Sequence, residues 1–176
     1  MDDAFAILGL ERRFDLTPSE VSAAHLRAVA RMHPDRAADP VERNRLVRAS
    51  AAAGAAKQRL VDESSRAEEL LEFLGARSLL GAPLPPSFLM ETMVLREEIE
   101  KAAAGPDDGR RASLAFRIDS MLREERSVLL RAFGVALSGG AIATGPVAVE
   151  ETRQAAAALV RLRYLLRMAS SLAADP

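Results

Sequence analysis

His33-Pro34-Asp35 sets an imidazole and a carboxylate two residues apart across a proline. Pro34 disfavours helical geometry in the residue before it, so a helix must stop there and a tight turn follows. In such a turn the ring of His33 can donate or accept a hydrogen bond, and Asp35 can pair with a cation on a partner. Arg27 and Arg31 precede the turn, four residues apart and therefore on one helix face, and Arg36 follows it. Taken alone, the tripeptide favours a plainer reading, a helix stop with a capping Asp.

A second cluster, Phe88-Leu89-Met90 with Met93, Leu95 and Ile99, is apolar at helical spacing, which assigns part of it to a core. Three consecutive residues cannot share one face, because successive helical positions point about 100° apart. Some of Leu89, Met90 and Met93 must therefore stay exposed, and flexible Met suits a recognition surface. The remaining candidates are weaker. His25 reads as a core-edge residue: with no cysteine and no spaced carboxylate cluster, two isolated histidines make a poor metal site. Gly139-Gly140 with Gly145 has neither the Lys nor the preceding strand of a phosphate loop and reads as a plain loop. Glu97-Glu98 and Glu124-Glu125 are adjacent on helices and diverge, so they are poorly placed for acid–base work. No nucleophile–base pair is visible, and the chain does not read as an enzyme.

The elements that must position these residues are helices. Apolar residues make up 49% of the 176-residue chain and aromatics only 4%, with Ala, Leu and Val dominant, which favours helices packed by aliphatic side chains over sheets. A net charge of −1 gives no whole-protein drive toward nucleic acid or an anionic membrane. Between Arg27 and Arg59, however, eight Arg or Lys face only three acids, so a local basic patch is expected. No apolar run approaches the roughly 18 residues of a spanning helix. The opening MDDAFAIL carries acids where a secretory or mitochondrial leader carries cations, so the expected location is cytoplasmic.

Periodicity predicts a short helix from Asp3 to Gly9, then one opened by Thr17-Pro18-Ser19-Glu20, a capping box with Pro in the first turn. That helix runs to Met32 with an apolar stripe of Val21, His25, Ala28 and Met32. A third follows over Val41–Leu60, with Gly54 its weak point, and a fourth over Ser64–Leu74, closed by Gly75. Residues 76–86, rich in Gly and Pro, read as a linker or rigid elbow. Helices over Ser87–Ala104, Asp108–Leu137 and Pro146–Leu172 then form a three-helix bundle.

This order of elements, with Asp3-Ala-Phe-Ala-Ile-Leu-Gly-Leu10 and Met32-His-Pro-Asp-Arg36, resembles the J domain of DnaJ-type co-chaperones. Phe88-Leu-Met-Glu-Thr-Met-Val-Leu-Arg-Glu-Glu98 and Leu162-Arg-Tyr-Leu165 are similar to the C-terminal helices of the HscB family, bacterial type, which ordinary J proteins lack. The chain departs from the family pattern at His25, Met32, Gly54, Lys57 and Glu63.

The resemblance implies an all-α protein with a J domain at 1–75, a helical hairpin bearing the HPD loop, a linker at 76–86 and a C-terminal three-helix bundle at 87–174. It implies that His33, Pro34, Asp35, Arg27, Arg31 and Arg36 contact an HscA/DnaK-type ATPase chaperone. Leu89, Met90, Met93, Arg96, Glu97 and Tyr164 would hold the iron–sulfur scaffold IscU. The function implied is delivery of IscU and stimulation of the chaperone's ATPase, with no cofactor, nucleic acid or membrane involved. The alternatives are a J protein serving another client, or a helical nucleic-acid-binding protein using the basic patch.

Overall fold

The computed structural model describes residues 3–32, 37–103, 108–138 and 142–173. Side-chain caps set the first helix starts. Asp3 accepts from the Ala6 backbone N–H at 2.8 Å and opens α1 (Ala4–Leu8), which Gly9 ends at φ 65°, a conformation that favours glycine. Thr17 and Glu20 complete both bonds of the capping box that opens α2 (Pro18–Arg31). Glu20 accepts from both the backbone N–H and the hydroxyl of Thr17 and pairs with Arg13. Together these hold its carboxyl down to about 2.

Asp39 caps α3 (Pro40–Val61) through the Glu42 N–H at 2.8 Å. Asp62 both ends α3 and caps α4 (Glu63–Phe73), so the two helices meet at a one-residue corner. α3 thus starts one residue earlier than periodicity predicts and passes unbroken through Gly54, because Ala53, Ala56 and Leu60 bury one face around it.

The apolar stripe of α2 is only partly buried, with His25 at the core edge as expected and Ala24 added to the core. Val21, Ala24 and Ala28 are buried, while His25 and Met32 are only half-buried at its edge. α2 packs against both α1 and α3, and alanine at the contact lets the helices approach closely. Phe5, Leu8, Leu60, Leu70 and Leu71 fill the space between these helices. Glu69 is buried and satisfied: it accepts from the Ala4 N–H at 2.9 Å and from Arg59 at 2.8 Å, tying α1, α3 and α4 together.

Residues 77–81 form a short 3-10 turn that packs against the last helix. Three long helices follow: α5 (Pro86–Ala103), α6 (Asp108–Ala136) and α7 (Pro146–Ala173). Polar pairs fix their directions. Glu98 meets Arg117 and the Ala102 carbonyl accepts from Arg111, so α5 and α6 run antiparallel. Arg131 meets Gln154 while Arg161 clasps Glu125 with two bonds of 2.6 and 2.8 Å, so α6 and α7 are antiparallel as well. Leu95, Ile118, Leu129, Phe133, Leu159, Leu162 and Leu165 lie at the centre of this bundle. The protein is all-α; no strand occurs among the described residues.

The buried side chains of the first four helices and of the bundle form one continuous cluster. Phe14 lies 5.8 Å from Phe133, ring to ring, and Arg126 forks onto Glu63 with bonds of 2.7 and 2.8 Å. Arg163 on α7 pairs with Glu68 on α4, which also meets Arg77 of the 3-10 turn at 2.8 Å.

Candidate interaction surfaces

α5 buries one side and exposes the other. Phe88, Thr92, Leu95, Ile99 and Ala102 recur at intervals of three or four and are all buried. Thr92 is polar yet satisfied, because its hydroxyl lies 3.0 Å from the carbonyl oxygens of both Phe88 and Leu89. The opposite side carries Leu89, Met90, Met93 and Val94, exposed by 40, 69, 64 and 53%. Four large apolar side chains within six residues form a contiguous apolar surface on a helix whose other side is anchored.

Charges border this patch. Arg96 pairs with Glu100 at 3.1 Å and Lys101 with Glu97 at 3.8 Å, each one turn along the helix and largely in solvent. Because both pairs are exposed, they leave Arg96 and Glu97 accessible to a partner. Tyr164 joins from α7: its ring meets that of Phe88 edge-on, with centroids 5.9 Å apart. It also lines a cleft of about 380 Å³ with Arg96, Ile99, Glu100, Arg167, Met168 and Ser171.

The structure therefore gathers Leu89, Met90, Met93, Arg96, Glu97 and Tyr164 into one region, five on the open side of α5 and the sixth at its margin. Val94 belongs to the same surface and was missed by sequence reasoning. Its position four residues after Met90 was the available signal, since residues i and i+4 share a face.

The second surface lies at the far end of α2. Arg27 and Arg31 are exposed and form no ion pair among the described residues, and the apolar Leu26 beside them is 69% exposed. The first turns of α3, which packs against α2, expose Arg43, Arg45 and Arg48. His33, Pro34, Asp35 and Arg36 lie outside the described residues. Among the described residues no group of three or more His, Cys, Asp or Glu side chains is placed to hold a metal ion, and no helix is long and apolar enough to cross a membrane.

Residues 84–173 match the family model for the HSCB C-terminal oligomerisation domain. The co-chaperone protein HscB homolog of Bordetella petrii is 33% identical over 129 residues, 71% of this chain and 72% of that protein. The homolog of Vibrio vulnificus strain CMCP6 is 34% identical over 133 residues, 71% of this chain and 76% of its own. Among solved structures, the chaperone HscB from Vibrio cholerae superposes with a TM-score of 0.75 at 26% identity, covering 98% of this chain and 96% of that one. Human co-chaperone protein HscB shares the fold with a TM-score of 0.73 at 16% identity, over 99% of this chain and 82% of that one.

Proposed function

The chain belongs to the HscB family, and from that premise we propose that it is a cytoplasmic co-chaperone of iron–sulfur cluster assembly that delivers the scaffold IscU to an HscA/DnaK-type chaperone and stimulates its ATPase. The observation that carries this reading is the exposed apolar side of α5, which falls within the segment matching the family model. A water-facing patch of Leu, Met and Val on an otherwise anchored helix gains stability when a partner covers it. Leu89, Met90 and Met93 supply the apolar contact, Arg96 and Glu97 its polar border, and Tyr164 an aromatic edge at its margin.

The chaperone takes the other surface. Arg27, Arg31 and Arg36 steer an acidic face of the ATPase toward the α2 end, and His33-Pro34-Asp35 makes the contact that triggers hydrolysis. Residues 1–75 act as the J domain and 87–174 as the scaffold-binding domain, with 76–86 joining them. ATP is cleaved on the chaperone, so this chain carries no cofactor and performs no reaction of its own.

Steady-state ATP turnover of the chaperone, with this chain and IscU present, tests the assignment. His33→Gln should abolish stimulation while changing stability by no more than about 0.5 kcal/mol. Equal stimulation by variant and wild type would contradict it.

A further inference from the structure

The chain has six methionines and no cysteine. Among the described residues, Met168 is buried, Met32 and Met121 are half-buried against the core, and only Met90 and Met93 stand in water, 69 and 64% exposed. Those two lie three residues apart, neighbours on one helix face. Among the described residues, the sulfur most accessible to a dissolved oxidant is therefore concentrated in the middle of the apolar patch.

Oxidation of a thioether needs access to the sulfur and neither a catalytic base nor a metal. A sulfur lone pair attacks one oxygen of a hydroperoxide, the O–O bond breaks and an S–O bond forms. The sulfur loses two electrons and the peroxide is reduced to water, or to an alcohol if it is organic. The flexible apolar side chain becomes a polar, chiral sulfoxide, which methionine sulfoxide reductases convert back. At Met90 and Met93 the new S–O group remains hydrated in the free protein, so the fold is unaffected. On docking it must shed that water against an apolar partner, which is unfavourable without a matching donor. Oxidation at these positions therefore acts on binding rather than stability.

We propose that Met90 and Met93 form a reversible oxidation site through which hydroperoxides weaken this surface's hold on its partner. The inference rests on the reading of the α5 patch as the scaffold-binding surface. To test it, the full chain is treated with hydrogen peroxide, the peroxide is removed, the modified residues are located by mass spectrometry, and the protein is titrated with IscU. Met90 and Met93 should each gain one oxygen before Met32, Met121 or Met168. Affinity should fall by about tenfold or more with no change in melting temperature, and methionine sulfoxide reductases should restore it.

The variant Met90→Leu with Met93→Leu keeps apolar volume but has no sulfur at these sites. Whatever affinity this variant starts from, peroxide treatment should leave that affinity unchanged. The inference is overturned if Met32, Met121 or Met168 oxidises first, if the oxidised wild type binds unchanged, or if peroxide weakens the leucine variant equally. Unoxidised Met90→Ala with Met93→Ala separates the two claims. Loss of binding there, with none on oxidation, removes the inference and leaves the reading standing; normal binding there removes both.

Discussion

The exposed sides of α2 and α5 are both helical and both lie opposite a buried stripe, yet they offer a partner different things. α2 presents Arg27 and Arg31 with one exposed leucine between the buried positions Ala24 and Ala28. α5 presents Leu89, Met90, Met93 and Val94, with its charges at the border already paired along the helix. Exposed charge acts at a distance, is screened beyond about 8–10 Å at physiological salt and mainly sets how fast partners meet. Apolar area acts only on contact and mainly sets how long they stay together. Under the proposed function, one surface serves rapid, salt-sensitive encounter and the other retention. The proposed function makes both demands, since it has the chain hold a client while meeting an ATPase transiently.

The largest expected effect sharpens the contrast between the two sides of α5. Leu95→Ala empties a fully buried site and should destabilise the protein by about 2–5 kcal/mol, read as a lower denaturant midpoint. Met93→Ala, two residues away and in water, should change stability by no more than about 0.5 kcal/mol. Equal losses would mean that the exposed side is structural after all.

Next in size is reversal of the α2 charges. Arg27→Glu with Arg31→Glu should slow association with the chaperone severalfold at low salt and much less at high salt, leaving dissociation nearly unchanged. A stopped-flow series in salt measures this. An on-rate indifferent to both salt and reversal would remove electrostatic steering from the account.

The smallest effect concerns the start of α2. Glu20 has its carboxyl lowered from 4.5 to about 2 by the Thr17 bonds and Arg13, so it binds protons less readily folded than unfolded. Its stabilising contribution is present above about pH 4.5 and disappears as pH falls toward 2. Glu20→Gln should therefore lower stability at neutral pH and flatten the decline of stability in acid. A variant whose acid profile keeps the full wild-type slope would contradict this.

Local chemistry was the legible part of the sequence. The cap at Thr17, the stop at Gly75, and the impossibility of burying Phe88, Leu89 and Met90 together depend on near neighbours, and the described helices follow those rules. The errors arose where a choice depended on a distant partner. Ala24, which the apolar stripe of α2 left out, joins Val21 and Ala28 in the core because α1 and α3 both press on α2. Asp62 caps α4 where Ser64 was expected to begin it, because the chain turns its corner in a single residue. The ring contacts of Phe14 with Phe133 and of Phe88 with Tyr164 join residues more than seventy positions apart, and no local spacing announces them.

The central claim is that scaffold binding belongs to the open side of α5 and chaperone stimulation to the α2 end. The most direct measurement is made on Leu89→Ala, Met90→Ala and Met93→Ala combined in the full chain. Titration with IscU should show affinity reduced by at least about tenfold, since hot-spot truncations often cost more than about 1 kcal/mol each. The same variant should keep the wild-type melting temperature and, without scaffold, stimulate the chaperone's ATPase as wild type does. A folded triple variant that still binds IscU at wild-type affinity would contradict the account.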